Sequence, residues 1–199
     1  MTNKKPIPHP FKWYVPENAE TLIIGTFPPV KERWSFEFFY PNIHNLFWKI
    51  LAKIAKLELS VTGNEMVNDR KKILHQLKVG VTDMGGSIIR LKQDSKDESL
   101  QIVEYMNILE IIKTHKTIRK IILTSSSGRS SAFGWFREYL AKNSIVCVVP
   151  GGKKPLHFQL VLAGRNIDAY VLYSPSPRAA NRISPENLVE MYRSVIIER

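Results

Sequence analysis

The sequence has little cysteine and no apolar run long enough to cross a membrane. Cys147 is the single cysteine among 199 residues, which excludes an intramolecular disulfide. It lies in the apolar run from Ile145 to Val149, where we expect a small, buried hydrophobic side chain. The positively charged N-terminus lacks the apolar stretch that a secretory signal requires. These absences favour a reducing compartment, either the cytoplasm with its nucleoid or the nucleus, and exclude a membrane-spanning segment.

The signatures of metal and cofactor chemistry are missing as well. No spacing of His, Cys, Asp and Glu matches a metal site. The chain has neither a Gly-x-Ser-x-Gly elbow nor a phosphate-binding P-loop. We therefore predict no cofactor and no metal.

Acidic residues are scarce relative to basic ones. The chain has 18 Asp and Glu against 29 Lys and Arg, which gives a formal net charge of +11. Because an excess of cations attracts polyanions, nucleic acid is the favoured partner. An anionic membrane surface is the competing partner, but we predict no membrane partner, since no Lys- and Arg-rich amphipathic helix with a bulky apolar face is apparent.

The pattern of apolar segments predicts one α/β domain spanning residues 1–199. Residues 1–20 carry four prolines and little periodicity, so we expect an extended N-terminal arm. After the arm, apolar runs typical of buried strands alternate with segments of helical spacing. Predicted strands are Thr21 to Thr26, Val79 to Asp83, Lys120 to Thr124, Ile145 to Val149 and Ile167 to Tyr173; predicted helices are Asn42 to Leu57, Asn68 to Leu77, Met106 to His115, Ser130 to Lys142 and Ser184 to the C-terminus. This alternation predicts a three-layer α/β/α sandwich around a mostly parallel central sheet.

Two loops that follow predicted strands carry the residues of chemical interest. Gly25 to Pro29 follows the first strand, and Ser174 to Arg182 follows the last. Ligands of open α/β sheets bind outside the carboxyl ends of the strands, so we expect both loops at the same edge. Met84 to Ser87 is predicted to be a loop, and the charged stretch from Lys92 to Glu98 is predicted to be solvated.

Three motifs in these segments resemble those of a known enzyme superfamily. They are a Gly-x-x-Pro loop at Gly25 to Pro28, an Asn-x-Phe-Trp helix start at Asn45 to Trp48, and the Ser-Pro-Ser loop that begins at Ser174. In this order they resemble the uracil-DNA glycosylase superfamily, most closely its mismatch-specific and hypoxanthine-DNA glycosylase branches. The resemblance extends from about Leu22 to Tyr192. It implies the superfamily fold, a monomer, DNA with a damaged or mismatched base as partner, and hydrolytic excision of uracil or hypoxanthine in base excision repair.

The resemblance assigns roles to residues around the predicted pocket. Asn45 is expected to position the attacking water; a local hydrogen bond to the backbone is the alternative. Asp83 is expected to read the edge of the base, or else to cap the loop that follows it. Phe39 or Tyr40 is expected to stack on the base, with core packing as the alternative.

One residue departs from the superfamily pattern. Phe27 stands where most members have Asn, Asp or Glu. Thr26 and Phe27 would then contribute an apolar surface and backbone groups to base binding. Either the chemistry relies on Asn45, or the chain is a non-catalytic nucleic-acid-binding module of glycosylase fold. A hydrolase of free nucleosides is a third hypothesis.

The remaining assignments concern DNA. The Ser174 to Arg182 loop is expected to insert into the minor groove. Its prolines limit the conformational entropy that is lost on binding, and its hydroxyl and backbone N–H groups can contact phosphate. In this loop Arg178 and Asn181 are candidate contacts to the gap or the orphan base. The predicted phosphate contacts are Ser125, Ser126, Lys153, Lys154, Ser174, Ser176 and Arg182.

Overall fold

The computed structural model describes residues 4–177 and 182–197. It is an α/β structure. The strands are β1 (Ile7–Pro8), β2 (Thr21–Gly25), β3 (Val79–Asp83), β4 (Gly85–Arg90), β5 (Leu100–Tyr105), β6 (Lys120–Leu123), β7 (Leu156–Leu162) and β8 (Arg165–Val171). The helices are α1 (Phe47–Ala55), α2 (Glu65–Leu77), α3 (Ile108–Thr114), α4 (Ala132–Lys142) and α5 (Pro185–Ile197).

The main sheet has five strands in the order β3-β2-β6-β8-β7. Strands β3, β2, β6 and β8 run parallel, and β7 is antiparallel at one edge. All five residues of β2 and of β3 are buried, as expected for strands covered on both faces. Gly25 pairs with Asp83, so the two strands end side by side.

Helices cover both faces of this sheet. Ile23 points toward α1, α2 and α5, while its neighbours Leu22 and Ile24 point toward α3 and α4. This follows from the alternation of side chains along a strand. Each fully buried large apolar side chain, such as Trp135 or Phe136, contributes about 1.5–3 kcal/mol of transfer free energy. The prediction of a mostly parallel α/β sheet is confirmed.

A second, antiparallel sheet was not predicted. It has the order β1-β4-β5 and includes Gly85 to Ser87, most of the segment from Met84 to Ser87 that was predicted to be a loop. Its glycines allow close approach, because a Cβ on Gly85 would lie 2.9 Å from the Phe27 ring and one on Gly86 3.1 Å from the Tyr105 backbone. The prediction of a loop was wrong because a Gly-Gly pair indicates a turn when the strand that pairs with it is unknown.

The predicted strand from Ile145 to Val149 is also wrong. This segment is irregular; Val146 and Val148 are 88% and 83% exposed, and Cys147 is only half-buried. The sheet edge is taken instead by β7, which forms a hairpin with β8. Ala163 and Gly164 connect the two strands with positive φ angles of 49° and 74°, as a two-residue hairpin turn requires.

Helix boundaries differ from the predictions mainly at the N-terminal ends. Helix α1 begins at Phe47 rather than Asn42, and α2 begins at Glu65 rather than Asn68. Lys56 and Lys78 end these two helices in the left-handed conformation, each with φ of 55°. Within the segments described, no helix is long and apolar enough to span a membrane.

Candidate functional site

A cavity of about 500 Å³ opens at the carboxyl ends of β2, β3 and β6. The first loop, the start of α1 and the Ser-Pro loop all contribute to its wall. The predicted site residues that line it are Thr26, Phe27, Tyr40, Asn45, Asp83, Ser125, Ser126, Lys154, Ser174, Ser176 and Arg182. Parallel strands explain this convergence, because their carboxyl ends meet at one edge.

The floor of the cavity consists of Phe27, Tyr40 and Asp83, and Gly25 packs against the last two. Asp83 is 5% exposed. A Cβ on Gly25 would lie 2.1 Å from Asp83 Oδ1 and 2.7 Å from the Tyr40 hydroxyl oxygen. Both oxygens therefore occupy the space above Gly25, and no larger residue fits there without displacing them.

Tyr40 is held in one orientation. Its ring stacks on Phe47 with centroids 3.7 Å apart and planes 14° apart, and its hydroxyl lies 3.3 Å from Thr124 Oγ1. Burial, together with the negative charge of Asp83, raises the pKa of the Tyr40 hydroxyl well above its ordinary value. The hydroxyl is therefore neutral and can donate a hydrogen bond.

Phe39 has a different position. It is 1% exposed, and its carbonyl accepts a hydrogen bond of 2.9 Å from Trp48 Nε1. The expectation that Phe39 could stack on a base is wrong, because the side chain is part of the core. Of the two candidates, Tyr40 is the one at the cavity.

Asn45 lies at the entrance to α1. Its Oδ1 accepts a hydrogen bond of 2.9 Å from Phe47 N, which is the local role considered as the alternative. The next residue, Leu46, donates its N–H to Pro175 O at 2.9 Å and so joins the start of α1 to the Ser-Pro loop. An amide oxygen has two lone pairs, so the contact with Phe47 leaves Asn45 Oδ1 able to accept a second hydrogen bond.

Phe27 and Thr26 contact different neighbours. The Phe27 ring packs edge-on against His9, with centroids 5.1 Å apart. Thr26 is 7% exposed; its Oγ1 donates to Asp97 Oδ2 at 3.2 Å and lies 3.3 Å from Ser125 Oγ. These hydrogen-bonding side chains thus lie beside the apolar ring of Phe27.

The charged stretch from Lys92 to Glu98 is only partly solvated. Its residues Ser95, Asp97 and Glu98 line the cavity. Arg90 anchors this loop, because its guanidinium donates to Pro28 O at 2.9 Å and to Asp94 O at 2.8 Å. Partial burial lowers the pKa of Arg90. The prediction failed because charge alone does not reveal that a loop folds back over a site.

The rim of the cavity consists of Ser126, Ser127, Lys154 and Arg182. Arg182 donates to Ser127 Oγ at 2.7 Å, and Lys154 Nζ lies 4.9 Å from the centre of the Tyr173 ring. Burial, and secondarily the charge of Arg182, lower the pKa of Lys154. Lys154 and Arg182 place two positive charges on this side of the cavity.

One predicted residue, Lys153, is not at the cavity, and two others cannot be placed. Lys153 is exposed on the turn before β7 and does not line it. Arg178 and Asn181 lie outside the described residues.

Sequence reasoning missed His9, Thr124 and Asp97. His9 lies on the N-terminal arm, and its Nε2 is 2.9 Å from Asp83 Oδ2. No periodic signal identified it, because the contact joins a proline-rich arm to a distant strand. Thr124 could have been found from its place at the end of a predicted strand.

No family model and no curated protein matches this chain. The site must therefore be interpreted from its own chemistry. Among the described residues, no group of three or more His, Cys, Asp or Glu side chains could hold a metal ion.

Proposed function

We propose that this protein is a monofunctional DNA glycosylase of uracil-DNA glycosylase-like fold, which excises uracil or hypoxanthine and leaves an abasic site. The observation that carries the proposal is the cavity at the sheet edge, where Asn45, Tyr40 and Asp83 converge beneath a cationic rim. We expect it to act as a monomer in the compartment that holds the DNA.

The dimensions and lining of the cavity suit a flipped base. Its volume of about 500 Å³ falls within the range of roughly 300–1,000 Å³ that is typical of small-molecule sites. Phe27 offers an apolar surface, whereas the Asp83 carboxylate accepts and the neutral Tyr40 hydroxyl donates hydrogen bonds. Flipping costs a few kcal/mol, and least at mismatched or damaged pairs, which favours such bases as substrates.

The reaction places specific demands on Asn45. Hydrolysis passes through an oxocarbenium-like sugar, with negative charge developing on the departing base. The water oxygen bonds to C1′ while the C1′–N bond breaks and its electron pair goes to the base. Asn45 Oδ1, fixed by Phe47 N, accepts a hydrogen bond from this water and holds it in place. The protons of the water end on the new hydroxyl and on the released base.

The rim provides the contacts to the DNA backbone. Lys154 and Arg182 are suited to phosphate oxygens, and the Ser126 and Ser127 hydroxyls add neutral donors. The net charge of +11 favours encounter with DNA.

Base release is the direct test. Duplexes carrying a single uracil, hypoxanthine, xanthine or mismatched thymine would be incubated with excess protein, and free base and abasic sites measured. We expect release of uracil or hypoxanthine. Release from none of the duplexes, with DNA binding intact, contradicts the enzymatic proposal.

A non-catalytic DNA-binding module is the second candidate. Asn45 Oδ1 already accepts a hydrogen bond from Phe47 N, and the side chain of Phe27 is apolar. Asn45→Ala separates the two. If the parent protein releases base and the variant does not, while both bind DNA equally, the enzyme is supported. Absence of release from both, with equal affinity for DNA, supports the module.

A further inference from the structure

A buried contact links the N-terminal arm to the floor of the cavity. His9 Nε2 and Asp83 Oδ2 are 2.9 Å apart, and their side chains are only 2% and 7% exposed. A carboxylate can only accept hydrogen bonds, so His9 donates through Nε2. Two polar groups removed from water in this way depend on each other for hydrogen bonding.

The His9 ring has little freedom to move. It stacks on Phe39 with centroids 5.7 Å apart and packs edge-on against Phe27 and Phe11. Its Nδ1 faces the backbone of Phe11, whose N is 3.0 Å away and whose O is 2.5 Å away.

The arm itself is attached to both sheets. His9 N donates to Gly86 O at 2.8 Å, and Tyr14 exchanges two backbone hydrogen bonds with Val81. Residues Ile7 and Pro8 pair with β4 as strand β1. The arm is therefore part of the scaffold that positions Asp83, and His9 is its point of contact with the floor.

The two carboxylate oxygens of Asp83 have different surroundings. Oδ2 is engaged by His9, whereas Oδ1 lies above Gly25 beside the Tyr40 hydroxyl. We propose that His9 is a positioning residue that fixes Asp83 as a hydrogen-bond acceptor and thereby sets which bases the cavity selects. This inference rests on the proposed interaction of the cavity with DNA bases.

The chemistry of deamination gives this arrangement its selectivity. Hypoxanthine carries an N1–H and uracil an N3–H, whereas adenine N1 and cytosine N3 are acceptors. The Asp83 carboxylate oxygens attract the N–H of the deaminated base and repel the lone pair of its parent. A carboxylate rotated away from the base would lose this preference. His9 prevents that rotation, because its N–H holds Asp83 Oδ2 at 2.9 Å.

The test uses duplexes in which the target nucleotide carries fluorine at its 2′ position, which blocks hydrolysis. Affinity for hypoxanthine is compared with affinity for adenine at the same position, and likewise uracil with cytosine. We expect His9→Ala to reduce the preference for the deaminated base by about 10-fold or more, in line with the penalty for one lost charged hydrogen bond. His9→Gln, whose amide N–H can still donate to Asp83, should restore most of the preference. Lys5→Ala, an exposed change on the same arm, serves as the matched control.

Asp83→Asn protects the test against a folding defect in His9→Ala. This variant keeps the shape of the side chain but adds an amide donor, so the preference should fall even with His9 in place. Folding of each variant is checked by its thermal transition. An unchanged preference in folded His9→Ala would overturn the inference, and so would an unchanged preference in folded Asp83→Asn. The measurement is binding affinity and not base release. The inference about His9 can therefore be tested even if the protein releases no base and the glycosylase proposal fails.

Discussion

The floor of the cavity and its rim differ in burial and in the forces that hold their side chains. In the floor, Asp83 is 5% exposed and shares the space above Gly25 with the Tyr40 hydroxyl. In the rim, Arg182 and Ser127 are exposed and joined by a single hydrogen bond of 2.7 Å. The floor is determined by packing and is insensitive to salt, whereas the rim acts through charge that salt screens. Changes in the floor should therefore alter rate and selectivity, and changes in the rim should alter affinity.

The largest effect is expected from Gly25→Ala. The new Cβ would approach Asp83 Oδ1 to 2.1 Å and the Tyr40 hydroxyl to 2.7 Å, so both groups must move. Misplacing one group by about 1 Å costs about 100-fold in rate, so we expect a loss on the order of 1,000-fold. Overpacking should also cost about 1–3 kcal/mol of the free energy of unfolding. Single-turnover kinetics and denaturant titration provide the two measurements.

Gly151→Ala is the matched control, because nothing lies within 4 Å of a Cβ at that position. It should leave rate and stability unchanged. Full activity in Gly25→Ala would show that the floor tolerates displacement and would remove the contrast with the rim.

Asn45→Ser separates local stability from chemistry. A serine hydroxyl can still accept from Phe47 N, so the local cap should survive and the free energy of unfolding should change by less than about 1 kcal/mol. The shorter side chain no longer reaches the water, so the rate of base release should fall by about 100-fold. Affinity for DNA should not change. A rate equal to that of the parent protein would contradict the role of Asn45 in positioning water.

At the rim, Lys154→Ala should weaken DNA binding by a few-fold. Removing one phosphate contact should reduce the slope of log affinity against log salt by about one. The rate of base release at saturating protein should stay unchanged. Lys53→Ala, an exposed change on α1 away from the cavity, is the control and should not alter the slope. A loss of rate at saturation would place Lys154 with the floor residues.

The smallest effect concerns pH. Burial and the charge of Arg182 lower the pKa of Lys154, so its ammonium loses its proton at lower pH than an exposed lysine does. Phosphate binds the charged form, so affinity for DNA should decline as pH rises toward the ordinary lysine range. Arg182→Ala removes one repulsive charge and raises the pKa of Lys154, so the decline should begin at higher pH. Fluorescence anisotropy over an alkaline pH series would measure the affinity for DNA. A decline that begins at the same pH in Arg182→Ala as in the parent protein would exclude Lys154 as the cause of the decline.

Local patterns were sufficient for the parallel strands but not for the antiparallel ones. The apolar runs that form β2, β3, β6 and most of β8 were found, because strands buried on both faces have a simple signature. The run from Ile145 to Val149 has the same signature but is not a strand, since the β7–β8 hairpin already occupies the edge. Which apolar segment pairs at an edge depends on competition between segments.

The site was predictable where motifs coincide with strand ends. Asp83 and Thr26 come together because sheet topology gathers those ends at one edge, and the start of α1 brings Asn45 to the same cavity. His9 and Asp97 approach the same cavity from the arm and from a charged loop, through contacts that depend on tertiary packing. No spacing in the sequence encodes such contacts.

The hydrogen bond of 2.9 Å from Leu46 N to Pro175 O has a consequence for how relatives of this protein can diverge. It joins the start of α1 to a loop that lies more than a hundred positions later in the chain. An insertion or deletion around Pro175 would shift the backbone next to Asn45, so it would be retained only together with a compensating change near Leu46. The lengths of these two loops should therefore covary among homologues, whereas the exposed turn at Gly151 and Gly152 can vary in length independently.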